Sequence, residues 1–136
     1  MLKSDTKAIS QFIKKGLAGE DIVLKSAGTQ YYSFQYMADS VSGLLYILLC
    51  GENGEAYNVA EEHSDIMLKD LAGLVAEYKG KKVIYEAPDN VEAAGYSTAT
   101  KARLDGKKIQ ALGWKPRYDI RTGIMRTMQI LEALED

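Results

Sequence analysis

The chemistry open to this sequence is set by few residues, beginning with one histidine, His63, and one cysteine, Cys50. A bound transition metal needs several histidine, cysteine or carboxylate ligands at set spacings, and no such pair of either type occurs. His63 stands beside Glu61, Glu62 and Asp65 ahead of a helix and reads as a solvated loop histidine. Cys50 ends an apolar helix and reads as a small core hydrophobe rather than a nucleophilic thiolate. Tyr78 and Lys82 have the Y-x-x-x-K spacing of a tyrosine base tuned by a lysine. That pairing works only one turn apart on one helix, and Gly80 falls between them. There is no G-x-G-x-x-G and no P-loop, so nothing cradles a dinucleotide pyrophosphate. What remains is residues 28–39, GTQYYSFQYMAD, an aromatic segment running into a helix, with Lys101 and Arg103 further on. Stacking faces and cations together suit a nucleotide. An aromatic core strand beside a solvated basic loop fits the same spacing, and spacing alone leaves both readings open.

These side chains must be placed by short elements. A cap at Ser4 or Asp5 opens a helix whose stripe is Ala8, Ile9, Phe12, Ile13 and Leu17, ended by Gly16 and Gly19. The run Ile22, Val23, Leu24 predicts a strand, and the turn at residues 27–29 separates it from a second strand over residues 31–37. Alternation puts Tyr32, Phe34 and Tyr36 on one face and Tyr31, Ser33 and Gln35 on the other. Asp39 or Ser40 caps the next helix, the most apolar in the chain, where Val41, Leu44, Leu45, Leu48 and Leu49 recur at helical spacing. Residues 56–60, AYNVA, read as a strand. Ser64 then caps a helix with Leu68, Leu71, Val75 and Tyr78 inward, closed by Gly80, and a strand follows over residues 82–86. Residues 88–100 lack a period and form the longest irregular stretch. A short helix over residues 105–112 precedes the stop at Trp114-Lys115-Pro116. The last helix starts near Asp119 with the stripe Ile120, Ile124, Met128 and Leu131. The order α, β, β, α, β, α, β, α, α is α/β.

The 136 residues are 46% hydrophobic and 26% charged, the composition of one globular domain with no linker to divide it. Lys plus Arg is 17 against 19 acidic residues, a net charge of -2, which excludes the global positive field of non-specific nucleic-acid binding. The apolar run at residues 44–50 is far short of the ~20 residues that span a bilayer, so no membrane partner is expected. With a lone cysteine and no apolar core in MLKSDTKAIS, a reducing cytoplasm is the expected location.

Four segments in order carry a family resemblance. They are ISQFIKKGLAGEDIVL (9–24), GTQYYSFQYMADSV (28–41), GEAYNVAEEHSDIMLKDL (54–71) and LDGKKIQALGWKPRYDIRTGIMRT (104–127). The second resembles G-x-x-x-R-x-F-x-Y-V-x-D-x-V, and the last resembles D-x-S-K-x-x-x-L-G-W-x-P followed by G-x-x-x-T. Together they resemble the C-terminal, substrate-binding part of the extended short-chain dehydrogenase/reductases, the nucleotide-sugar epimerases, dehydratases and decarboxylases, which are isomerases and lyases.

The resemblance implies an α/β substrate-binding subdomain without the N-terminal Rossmann half. In that family the missing half carries NAD and the catalytic Y-x-x-x-K, so no catalytic residue, metal or cofactor is expected in this chain. The motif's diphosphate-binding arginine falls on Tyr32, a departure that removes a charge. Phe34 matches the aromatic two residues on, and Asp39 the aspartate that begins the helix, as a cap more than a ligand. A second family cation falls on Lys101 or Arg103. Val23 and Leu24 lie in the segment whose backbone runs beside the nucleotide base, Lys107 replaces the serine of D-x-S-K, and Lys108 keeps its lysine. The implied partners are a nucleotide sugar, the absent Rossmann half and, because the AYNVA strand loses that half's sheet, a second copy of the chain. The alternative is a stand-alone binding or interaction module with no enzymatic role, which Tyr32 favours; a purely structural α/β domain is a third reading.

Overall fold

Ile22 and Leu24 are 0% and 3% exposed, and the main core is assembled around the strand that carries them. The computed structural model describes residues 4–87 and 100–134. Helix α1 (Ala8–Ala18) lays Phe12 and Ile13 on strand β1 (Ile22–Leu24). Helix α3 (Leu68–Glu77) contributes Leu71, Ala72, Val75 and Ala76, and helix α5 (Ile120–Glu132) contributes Ile124 and Met128. Side chains buried to this degree stabilise by roughly 1.5–3 kcal/mol each. The expected inward stripes of α1, α3 and α5 are therefore the packed ones, except that Ala8 of α1 is exposed, and Arg121 and Arg126 face out.

Two small sheets result. Strand β1 pairs in parallel with β4 (Val83–Tyr85), Val23 opposite Ile84. The second sheet has the order β3–β2–β5, where β2 (Tyr31–Ser33) runs antiparallel to β3 (Asp65–Met67) and parallel to β5 (Lys101–Ala102). The two remaining helices are α2 (Met37–Cys50) and the single-turn α4 (Lys107–Ala111). No helix among the described residues is long and apolar enough to cross a membrane. The chain is α/β, as expected.

Several local expectations change. Gly16 lies inside α1 because α3 comes so close that a Cβ there would sit 2.6 Å from Val75; Gly19 alone ends the helix, in the left-handed conformation. The second strand stops at Ser33 instead of residue 37, since Phe34 N–H donates to the Ser64 carbonyl and the chain then turns into α2. Tyr36 precedes α2 without a side-chain cap, so neither Asp39 nor Ser40 caps it. Residues 56–60 form no strand, because no described residue offers them a ladder; Val59 and Ala60 are held by packing. Ser64 closes a 3-10 turn, Glu62–Ser64, and the unforeseen β3 separates it from α3. Cys50 is exposed on the last turn of α2, not in the core. The irregular stretch from residue 88 lies outside the described residues as far as residue 99.

Candidate functional site

The cations singled out in the sequence belong to the β3–β2–β5 sheet, and strand alternation decides which side chains can cooperate. The register sets Tyr31 against Lys101, Tyr32 against Ala102, and Ser33 against Asp65. One face therefore carries Tyr31, Ser33, Asp65 and Lys101, and the other carries Tyr32, Ile66 and Ala102. Arg103 joins the first face, its guanidinium 5.3 Å from the Tyr31 ring centre in cation–π contact. On the second face Tyr32 meets Phe34 edge to face, with centroids 6.4 Å apart, and Phe34 packs on the main core.

Asp65 organises the cationic face. Its carboxylate is 1% exposed and accepts from Arg103 Nε and from Ser33 Oγ, while Ser33 Oγ accepts Leu104 N–H at 2.8 Å. The bond to Asp65 pushes the already high pKa of Arg103 further up. Sequence reasoning missed both Tyr31 and Asp65 as partners of Arg103. The signal available was Asp65 itself, a carboxylate directly before two strand-forming residues. A hollow of about 270 Å³ adjoins this network, lined by Glu62, Arg103 and residues 104–107 with Gln110. Lys101 is exposed on the strand next to it.

Val23 and Leu24 lie in the other sheet, Val23 half-buried and Leu24 buried against α1 and α3. The structure thus gathers Tyr32, Lys101 and Arg103 onto one sheet, splits them between its faces, and keeps Val23 and Leu24 apart. Asp39 is 2% exposed inside the first turn of α2 and accepts the backbone N–H groups of Arg117 at 3.0 Å and Tyr118 at 2.9 Å. It fastens a loop. Tyr78 donates its hydroxyl to Glu132, which raises its pKa, and Lys82 lies beyond Gly80 and outside α3, so the two do not stand one turn apart on one helix. His63 is 78% exposed on its side chain, 3.6 Å from Glu61. It lines a larger open cleft of about 760 Å³, where Lys115, Arg117 and Arg121 are balanced by Glu61, Glu62 and Asp119. That balance does not favour an anion.

A dinucleotide pyrophosphate needs a glycine with open space where a strand runs into a helix. Among the described residues only Gly106 opens a helix after a strand, and its Cβ space is filled by the Ala60 carbonyl, 1.9 Å away. The described residues therefore do not fit a dinucleotide.

The profile of the family described as NAD dependent epimerase/dehydratase matches residues 2–60. The mouse dTDP-D-glucose 4,6-dehydratase is 30% identical over 126 residues, covering 90% of this chain and 35% of that protein. The zebrafish (Danio rerio) UDP-glucuronic acid decarboxylase 1 is 29% identical over 133 residues, covering 95% of the chain and 30% of the relative. The chain spans about a third of the length of these curated relatives. Among solved structures, UDP-glucose 4-epimerase of Thermotoga maritima with UDP-glucose superposes with a TM-score of 0.79 at 22% identity, over 98% of this chain and 42% of the other. The dTDP-glucose 4,6-dehydratase of Bacillus anthracis in complex with NAD gives 0.78 at 20%, over 95% and 40%. The shared fold is the α/β arrangement described above.

Proposed function

Because the chain belongs to the NAD-dependent epimerase/dehydratase family, we propose that it is the nucleotide-sugar-binding portion of such an enzyme, holding substrate and not dinucleotide. Relatives named for dTDP-glucose and UDP-glucuronic acid, and a structural neighbour solved with UDP-glucose, support the ligand class. The observation that carries the reading is the β5 edge of the β3–β2–β5 sheet, where Lys101 is exposed beside Arg103, which lies over Tyr31 and is paired with Asp65. A diphosphate laid across the β5 edge meets Lys101 and Arg103 on one face and the side chain at position 32 on the other. Phe34 supports position 32 from the core side, and the Val23–Leu24 backbone runs beside the base.

In this reading the chain alone does not turn over a sugar. Hydride transfer requires a dinucleotide held against the substrate and a proton carrier within hydrogen-bond reach, and Tyr78 with Lys82 does not supply the latter. Tyr32 offers only a hydroxyl where the family motif has arginine. Charge-assisted contacts are worth roughly 1.5–3 kcal/mol and neutral ones about 1, so the expected affinity is no better than about millimolar and Tyr32→Arg tightens it about tenfold. NMR titrations of UDP-glucose, UDP-glucuronate and dTDP-glucose into wild type, Tyr32→Arg, Lys101→Ala and Arg103→Ala test this. If Tyr32→Arg gains nothing and both alanine variants leave the shifts unchanged, the diphosphate site does not exist. The neutral Tyr32 then favours the second reading, an interaction module without a sugar ligand.

A further inference from the structure

Asn53 precedes a glycine, whereas Asn58 and Asn90 precede valine. An asparagine side chain holds an electrophilic carbonyl carbon, Cγ, one five-membered ring away from the backbone nitrogen of the next residue. Attack is then intramolecular, and glycine leaves that nitrogen unshielded, while the branched Cβ of valine crowds it. The fold leaves this pair free to react. Asn53 and Gly54 are exposed at the centre of the turn over residues 52–55, which follows α2 and is closed by the Glu55 N–H on the Glu52 carbonyl at 3.3 Å. Gly54 has φ +81°, and a Cβ there would meet nothing within 4 Å, so rotation about the Asn53 backbone collides with nothing. Among the described residues, no hydrogen bond takes the Gly54 N–H or the Asn53 side-chain amide. The comparable pair Asp105–Gly106 is held instead. Gly106 is buried with its Cβ space filled by the Ala60 carbonyl, Asp105 Oδ1 accepts Lys107 N–H at 2.8 Å, and the Asp105 carbonyl accepts the Asn58 amide at 3.1 Å.

We propose that Asn53–Gly54 is a self-modification site, where the folded chain converts the asparagine to a carboxylate with water as the co-reactant. The Gly54 nitrogen gives its proton to a solvent base and bonds to Asn53 Cγ. The Cγ–Nδ2 bond breaks, ammonia leaves, and a succinimide ring remains. Water then opens the ring. Addition at Cγ gives aspartate, and addition at the Asn53 main-chain carbonyl carbon gives isoaspartate, whose backbone runs through Cγ. The sum is one water consumed and one ammonia released, with no oxidation or reduction. Either product places a new negative charge between Glu52 and Glu55, beside Lys108, which pairs with Glu55 and lies 4.7 Å from the Tyr57 ring centre. The longer backbone of isoaspartate also separates Glu52 from Glu55 and opens the turn. None of this depends on a sugar ligand.

Incubation of the folded full chain in heavy-oxygen water at neutral pH, followed by peptide mass spectrometry, tests it. The expected result is one labelled oxygen in the peptide that holds residues 53 and 54, as two isomeric products, together with a more acidic form of the intact chain on anion exchange. Asn53→Gln is expected to lose the label, because its attack would have to close a six-membered ring. Gly54→Ala is expected to slow labelling about tenfold, since a Cβ removes backbone freedom that ring closure uses. A parallel incubation in urea measures what the fold protects: residue 53 should label in both samples, and Asp105 in the unfolded one alone. Label at residue 53 that is absent from the folded chain, or that persists in Asn53→Gln, overturns the proposal. So does an undiminished rate in Gly54→Ala, or label that reaches Asn58 or Asp105 first in the folded chain.

Discussion

Gly106 is where two distant segments touch backbone to backbone. The Cβ of any other residue there would lie 1.9 Å from the carbonyl oxygen of Ala60, itself 2% exposed. A main-chain carbonyl cannot swing aside as a side-chain tip can, so Gly106→Ala must displace either residues 56–60 or the start of α4. Overpacking of this kind costs typically 1–3 kcal/mol, and the backbone partner puts this site at the upper end, about 3. Urea unfolding measures it, and Gly73→Ala, where a Cβ meets nothing within 4 Å, is the control expected to be neutral or stabilising by up to about 1 kcal/mol. The same closeness explains why the Asp105–Gly106 step of the last motif cannot serve as a phosphate cradle. Beside it, the Asn58 side-chain amide donates to the Asp105 carbonyl, a second tie between these segments.

Among the elements, α5 shows how a local signal survives into the fold. Asp119, near which the sequence starts the helix, is its N-cap: it accepts Thr122 N–H at 2.7 Å, and that bond holds its carboxyl below the usual value of 3.8. Since the folded pKa lies below the unfolded one, the cap's stabilisation is fully present above the unfolded value and fades as the pH falls through the folded one. Asp119→Ala is expected to cost about 1 kcal/mol at pH 7. The gap to wild type closes below pH 3.8, and denaturation curves at several pH values read it; a gap that persists in strong acid contradicts the capping role. Period made α1, α3 and α5 legible because each buries one stripe against the same core; the caps did not, since Lys7 and Met67, without side-chain caps, precede α1 and α3 in place of Ser4 or Asp5 and Ser64. The period of α2 was equally clear, but period does not say which side is wet. Its apolar stripe fixed the helix and gave no sign of Gly43, whose missing side chain lets the polar side pack inward. The strands were less legible because three residues are too few to show alternation, and β3 is defined by pairing with β2 rather than by its own composition. The cationic site was half visible: Arg103 and Lys101 stood out as charges, whereas their partners Tyr31 and Asp65 follow only from register.

At the scale of the whole molecule, α2 is attached to its surroundings differently from the other long helices. Helices α1, α3 and α5 share one apolar core, while α2 meets Val59, Ile109 and Trp114 through Gly43 and is clamped by the loop at residues 114–118. That clamp is largely polar. Trp114 Nε1 donates to Ser42, two N–H groups donate to Asp39, and the Tyr36 and Tyr118 rings meet at a tilt of 51° with centroids 4.6 Å apart. The chain's one tryptophan, 2% exposed, therefore reports on the α2 clamp, whereas far-UV circular dichroism reports mainly on the helices of the main core. In wild type the two probes should give one urea transition, because α5 begins two residues beyond Tyr118 and couples clamp to core. Asp39→Ala leaves two backbone N–H groups without their carboxylate. A hydrogen bond to a charged group is worth roughly 1.5–3 kcal/mol, so the clamp should weaken by about 3 kcal/mol with the core contacts untouched. At a denaturant slope of about 1–3 kcal/mol per molar, Trp114 fluorescence in this variant is expected to change about 1 M urea or more before the circular dichroism does. Two coincident transitions in Asp39→Ala, both shifted, would instead show that the clamp and the core unfold as one cooperative unit. Asp39→Asn, which keeps one acceptor oxygen, should fall between the two proteins.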